Sequence, residues 1–285
     1  MPRILFPTDF SDAANNAFIY ALRVADRLNA DLLALHVYHI PVIKKASLPH
    51  TLLEFYEQIE EEEFKDFQDN LPILHEIAEA DNRSHVALRS VLVKSEDAVR
   101  AIVATAEKED ADMIIMGTKG ATGLKEIFIG SVAGEVMENA NIPVLAVPED
   151  AEFDGKIDNI AVTTEFKSEE IAAIRRVVDF AARFEAKVSC VNVDLAHTEA
   201  FLNRAEAFEK TLEIEYPQFE IQILEGTSIR AAISQFMEAA NMDMLAMVTH
   251  RRNFFQELFR FSRAKEMAYH LNTPILSIQS HTLKS

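Results

Sequence analysis

The chain has 285 residues, 49% of them hydrophobic, enough for two domains of typical size, each with its own core. Its formal charge of −18 argues against non-specific nucleic-acid binding, but not against an anion held locally by backbone amides and one or two lysines. The single cysteine, Cys190, excludes an intrachain disulfide, and no run approaches the roughly 18 apolar residues of a membrane span. With no basic-plus-apolar leader at the start, a cytoplasmic protein without membrane or nucleic-acid partners is expected.

The first predicted strand is Ile4-Leu5-Phe6, closed by Pro7-Thr8-Asp9-Phe10-Ser11. Ser11 or Asp12 is placed to cap a helix with apolar positions at Ala14, Ala17, Phe18, Ala21, Leu22, Ala25 and Leu28, a spacing that buries one face. Asp31 to Tyr38 is almost wholly apolar and reads as a strand covered on both faces; His36 within it reads as a hydrogen-bonded core residue. A proline-containing loop over 40–51 leads to an acidic helix from Leu52 to about Asn70, whose Glu60 to Glu63 run reads as a solvated face. Val86 to Val93 is the third strand, with Ser95 capping the next helix. Asp112 to Met116 is the fourth strand, and Pro143 to Pro148 holds a short fifth. Strands alternating with helices predict an α/β fold with a parallel sheet covered on both sides.

Five of the seven glycines fall at 117, 120, 123, 130 and 134, between the fourth strand and a helix ending near Asn141. Glycine lets a backbone approach a ligand closely, and a helix N-terminus offers unpaired N–H groups and a positive dipole end. A cluster in an otherwise glycine-poor chain therefore points to an anion or nucleotide site, the bland reading being a flexible loop between two core elements.

Glu149 to Lys156 reads as a linker, after which the pattern restarts. Ile160-Ala-Val-Thr-Thr-Glu-Phe-Lys lies on Ile4-Leu-Phe-Pro-Thr-Asp-Phe-Ser at an offset of 156, which also lays Val188 to Val193 on Leu32 to Val37. Later the offset is 131, laying Asp243-Met-Leu-Ala-Met on Asp112-Met-Ile-Ile-Met and Asn272 to Ile278 on Asn141 to Val147. This is a tandem duplication, with halves expected at 1–149 and 156–285. Cys190 sits in a buried run of the second half and reads as a core residue. Each half is expected to be a doubly wound five-stranded parallel sheet of order 3-2-1-4-5. Ligands of such sheets bind beyond the carboxyl ends of the strands where the order reverses, here between strands ending at Asp9 and Gly117.

At this crevice the chain resembles the universal stress protein family, whose adenine nucleotide alpha hydrolase-like fold agrees with the sheet expected here. The resemblance rests on Gly117-Thr-Lys-Gly120, nine residues, then Gly130-Ser131, together with the opening Pro7-Thr8-Asp9-Phe10-Ser11, and it covers both halves. It implies an adenine nucleotide, ATP first, with a Mg²⁺ requirement left open. It implies further that Asp9 and the backbone at Val37 hold the adenine end, with Pro7, Thr8 and Met116 among the nucleotide-binding positions; Thr8 also reads as a turn residue and Asp9 as a cap for the following helix. Gly117 and Gly120 would line the ribose and phosphate path, and Gly130, Ser131 and Val132 would bind phosphate. Lys119 could reach phosphate or solvent. No zinc ligand set and no Gly-x-x-x-x-Gly-Lys-Ser/Thr loop is present.

The second half departs from this signature. Val248 stands for Gly117, Arg251 for Gly120, Phe261 for Gly130 and Glu165 for Asp9, while Ser262 keeps Ser131. A branched or bulky side chain where a backbone must approach a ligand obstructs it, so this half is not expected to bind nucleotide in the same way. Its basic, aromatic stretch 250–263 reads as a collapsed loop filling the site, or as a docking patch. The resemblance also implies antiparallel pairing of the fifth strands, Val144–Val147 and Ile275–Ile278, as an intramolecular pseudo-dimer; a homodimer is left open. A stress-response regulator or partner-binding switch is the leading expectation. A slow ATP hydrolase, with no base beyond Asp9 or a nearby histidine, and a module that binds no nucleotide are the alternatives.

Overall fold

The computed structural model describes residues 1–39, 50–118, 131–151, 153–194, 199–212, 216–226, 228–249 and 273–279. In the first half these form β1 (Arg3–Pro7), α1 (Asp12–Leu28), β2 (Asp31–Tyr38), α2 (His50–Ala80), β3 (Leu88–Lys94), α3 (Ala98–Lys108), β4 (Met113–Gly117), α4 (Ser131–Asn139) and β5 (Val144–Val147). The second half repeats the order with β6 (Asn159–Thr163), α5 (Ile171–Phe184), β7 (Lys187–Asp194), α6 (Glu199–Leu212), β8 (Phe219–Glu225), α7 (Ile229–Ala239), β9 (Met244–Thr249) and β10 (Ile275–Gln279).

All ten strands join one sheet in the order β3-β2-β1-β4-β5-β10-β9-β6-β7-β8. Each half is a parallel 3-2-1-4-5 sheet, as the alternating pattern predicts, and the halves meet where β5 and β10 run antiparallel, with Leu145 opposite Leu276. The expected pairing of fifth strands is thus made within one chain. It converts two apolar edges into ladder and leaves β3 and β8 as the outer strands among the described residues.

The sheet carries one core on each face, and both cores cross the junction. On one side α1 residues Phe18 and Leu22 pack with Phe6, Leu145, Val162 and Leu276, and with Ile174 and Val177 of α5. On the other side Val136 and Met137 of α4 pack with Leu5, Leu33, Met116, Leu245, Ile275 and Met237 of α7. Alternate residues of each strand feed opposite cores, which is why the strands read as unbroken apolar runs rather than alternating ones.

Helix starts follow local chemistry. Ser11 accepts the amide of Ala14 at 3.2 Å and caps α1. For α3 the cap is Asp97, accepting from Arg100 N at 2.9 Å, rather than the predicted Ser95. Ser95 sits two residues earlier and accepts the amide of Asp97 itself at 3.0 Å. A second correction concerns α2, which continues past the predicted end near Asn70 to Ala80 with Pro72 inside it. A proline within a helix costs about 3 kcal/mol. Here its ring is exposed, and the following turns bury Leu74 fully and Ala78 almost so against the α1 face of the core. That burial offsets the missing bond. The Glu60–Glu63 run is solvent-facing as expected, although Glu60 also pairs with Lys94 at 2.5 Å.

The linker is less free than its composition suggests. Asn16 Nδ2 donates to the carbonyls of Pro148, Glu149 and Ala151 at 3.3, 3.1 and 3.1 Å. Arg23 donates to Phe153 O at 2.7 Å and lies over its ring, which also packs on Tyr20. The chain leaving β5 is thus strapped along α1 before β6 begins.

Arg23 also reaches Asp81 at 2.7 Å, with Arg83 on the same carboxylate at 2.8 Å. Partial burial opposes the Asp81 charge, but the two guanidiniums outweigh it and hold the carboxyl below its ordinary range. A depressed folded-state value means the pair stabilises the fold above the ordinary carboxylate range, near pH 4, and that this stability is lost as pH falls through the lowered value. Asp81→Asn is therefore expected to cost about 1 kcal/mol at neutral pH, the scale of a screened ion-pair network, and nothing once Asp81 is protonated. Urea unfolding of both proteins across pH 2–7 checks this.

Among the described residues no helix is long and apolar enough to cross a membrane.

Candidate functional site

The strand order reverses between β1 and β4, and the residues at their carboxyl ends come together there. Pro7 and Thr8 are buried, Met116 is 6% exposed, and Asp9 is exposed at the rim. Val37 lies two residues beyond the partner of Pro7 on the neighbouring strand β2 and is half-buried. α4 links the parallel strands β4 and β5, so its first residue, Ser131, opens the helix at this same edge of the sheet, with Val132 38% exposed beside it. Lys119, Gly120 and Gly130 lie outside the described residues, as do Arg251, Phe261 and Ser262 of the second half; Ser131 is described by its backbone.

The loop after β1 is fixed by its own polar groups. Thr8 N donates to Leu35 O at 2.8 Å, tying the loop to β2. Thr8 Oγ1 accepts from Phe10 N at 2.9 Å, and Asp9 Oδ1 accepts from Ser11 N at 3.1 Å. Asp9 thus closes a short turn ahead of α1 and is not the helix cap. Its carboxylate stays at the mouth of the crevice.

His36 is hydrogen-bonded, as the strand pattern suggests, but is half-buried rather than fully in the core. Its Nδ1 lies 2.8 Å from Thr8 O. A carbonyl can only accept, so Nδ1 carries the proton and Nε2 is left without one in the neutral ring. The ring stands 5.3 Å from that of Phe10 and 6.1 Å from that of Phe67 of α2. Phe10 has φ of 58°, a left-handed conformation that is unusual for a bulky residue. This aromatic packing, together with the Thr8 hydroxyl, holds it there.

Gly117 has a packing reason that the glycine pattern did not disclose. A Cβ built on it would lie 3.1 Å from Ala13 O, in the first turn of α1. The missing side chain lets β4 pass close under that helix, so the glycine first serves the joint between strand and helix and only through it the crevice.

The second half repeats the loop and then diverges. Thr164 N donates to Val191 O at 3.0 Å, Thr164 Oγ1 accepts from Phe166 N at 2.9 Å, and Phe166 has φ of 59°. Asn192, the counterpart of His36, donates to Thr164 O, and Phe208 replaces Phe67 against Phe166. Val248 replaces Gly117 and is buried. Opposite it, the helix opens with a 3-10 turn, Ser168–Glu170, before α5.

Glu170, at the position of Ala14, is 1% exposed and turns its carboxylate under the loop. It accepts from Thr164 Oγ1 at 2.7 Å, Glu165 N at 3.0 Å and Lys167 N at 3.0 Å. Burial first, and then the nearby Glu170 charge, push the thiol of Cys190 upward, as fits the inert core residue expected there. Nothing in the sequence pattern pointed to Glu170, since a glutamate in a first helical turn is ordinary.

Comparison with known proteins agrees with this architecture. The model of the universal stress protein family matches twice, over residues 1–148 and 156–279. A universal stress protein of Methanocaldococcus jannaschii is 35% identical over 145 residues, covering 51% of this chain and 81% of the relative. A second one from the same organism is 34% identical over 164 residues, covering 51% and 93%. The crystal structure of a universal stress protein from Archaeoglobus fulgidus superposes with a TM-score of 0.68 at 18% identity, covering 97% of this chain and 96% of that one, and so shares its fold. With two consecutive matches spanning nearly all its length, the chain belongs to the universal stress protein family.

Proposed function

We propose that the first half binds an adenine nucleotide, ATP first, at the reversal point between β1 and β4, and that the protein acts as a nucleotide-responsive stress regulator. One observation carries the reading. The residues of the glycine signature flank a strand end and a helix start that face the same edge of the sheet as Pro7, Thr8, Asp9 and Val37. The adenine end would lie against Val37 and the Thr8–Asp9 turn. Met116 and Gly117 would bound the ribose, Gly120 and Lys119 the phosphate path, and Gly130, Ser131 and Val132 would offer backbone amides at the positive end of α4. Asp9, exposed beside that path, would suit a Mg²⁺ ion shared with phosphate oxygens and water.

The second half is assigned no nucleotide. Val248 puts a buried branched side chain where the first half has Gly117, and the Glu170 carboxylate accepts the donors under the equivalent loop. The cytoplasm, where ATP is abundant and Cys190 stays reduced, is the compartment this reading requires.

Isothermal titration with ATP and Mg²⁺ tests the proposal. One site per chain is expected, with a rise in thermal stability worth about 2.7 kcal/mol at a hundred times the dissociation constant. Gly130→Asp, which sets a carboxylate where phosphate would lie, should abolish both effects. No heat at millimolar ATP would overturn the nucleotide reading, and two equivalent sites would overturn the asymmetry.

A further inference from the structure

We propose that Gln279, at the end of the last strand of the second half, is a positioning residue for the nucleotide site of the first, so that the site is complete only when the two halves are joined. This rests on the nucleotide reading above and extends it to a residue that no signature contains.

Gln279 is 8% exposed. Its Nε2 donates to Glu138 O at 2.6 Å and to Met137 O at 3.0 Å, across 141 and 142 positions of sequence. These carbonyls belong to the last turn of α4, where a helix leaves its final C=O groups without intrahelical partners. The other nearby carbonyls are met locally, Val136 O by the amide of Ala140 at 2.8 Å and Glu135 O by the side chain of Asn139 at 2.7 Å. Met137 and Glu138 are served from the other half of the protein.

The topology explains how one residue reaches so far. β10 runs antiparallel to β5, with Ser277 opposite Val144, the first residue of β5. Gln279 therefore projects past the beginning of β5, and α4 ends just before β5 begins. The far end of the same helix is Ser131, where phosphate is proposed to bind. Nine residues at about 1.5 Å each make α4 about 13 Å long. Val136 and Met137 seat it in the core that also holds Ile275 of β10. A short helix seated on one buried face moves as a unit, so fixing its last turn fixes the direction of its first amides. A donor at the carboxyl end and an anion at the amino end also favour the same helix dipole.

The arrangement is one-sided. At the offset of 131 that relates β10 to β5, the counterpart of Gln279 is Pro148, which has no donor to offer the second half in return. Its carbonyl instead accepts from Asn16 of α1. The duplicated halves are thus joined so that the second supports the one carrying the intact signature.

Gln279→Leu keeps the bulk and removes the donor, and Gln279→Ala removes both. In the wild type, ATP should slow hydrogen exchange of the β10 amides at 275–279, because coupling between two sites is reciprocal. Gln279→Leu should weaken ATP binding by about five-fold or more and remove that ATP-dependent slowing. A purely structural bond would instead lower the melting temperature equally with and without ATP and leave the dissociation constant unchanged; that result overturns the proposal. A wild type that binds ATP alongside a Gln279→Leu protein of equal affinity defeats this inference alone. A wild type that binds no ATP defeats the nucleotide reading together with it.

Discussion

Leu276→Asp is expected to cost more than about 4 kcal/mol and to break the protein at its middle. Leu276 is 1% exposed and stands opposite Leu145, which is fully buried. Both belong to the core that runs unbroken from Phe18 of α1 to Val177 of α5. Truncating a buried leucine alone costs about 2–5 kcal/mol. An aspartate there would also sit in a cluster of buried hydrophobic side chains, so it must either be protonated or force the strands apart. β5 has four residues and β10 five, too short to tolerate a break in their pairing. Once parted, each would present an apolar edge to solvent. Calorimetry should show one cooperative transition in the wild type, and in the variant a lower, broadened transition with aggregation. Leu276→Met keeps the volume and should cost less than about 1.5 kcal/mol. A Leu276→Asp protein that melts within a few degrees of the wild type would mean that the halves do not depend on the junction.

The two strands that meet there were legible from the sequence for a physical reason, while their antiparallel pairing was implied by the family resemblance. Strands buried on both faces leave continuous apolar runs, and a duplication copies them at fixed offsets, so the run at Ile275 identifies itself by the run at Val144. Strand order followed from right-handed crossovers and from helices on both faces. What escaped was tertiary. Pro72 argued locally for a helix end and was overruled by the burial of Leu74. The linker looked like solvent-exposed chain because Asn16 and Arg23, which bind it, lie more than 100 residues earlier. At the candidate site, Gly117 stands out in the sequence by its glycine pattern, but its contact with Ala13 was invisible, because it belongs to a helix crossing rather than to any spacing. Phe10 and Phe166 adopt left-handed backbone without being glycine or asparagine, so no turn signal marked them. Gln279 and Glu170 are single polar residues that serve mainly backbone groups, and backbone groups carry no sequence.

Glu170→Leu is expected to cost about 3–5 kcal/mol, mostly by stranding donors rather than by losing a contact. The carboxylate serves the hydroxyl of Thr164 and the amides of Glu165 and Lys167 at once, and it does so almost fully out of water. Leucine fills the same space and leaves all three donors facing hydrocarbon, each worth about 1–3 kcal/mol when unsatisfied. The first half shows what the loop needs when no such acceptor exists. There Ala14 occupies the position, and Asp9 and Ser11 supply acceptors from the loop itself, at the rim rather than beneath it. The second half has Glu165 and Lys167 in their places, and the side chains of these two pair with each other instead. Without Glu170 it therefore has no local substitute. Glu170→Gln retains an acceptor oxygen and should lose roughly half as much. Urea unfolding would give the ranking wild type, Gln, Leu, and hydrogen exchange should quicken at the amides of 165 and 167 before it does in α5. Equal exchange at those two amides in the Leu variant would show that the loop is held by its strand bond to Val191 rather than by this carboxylate.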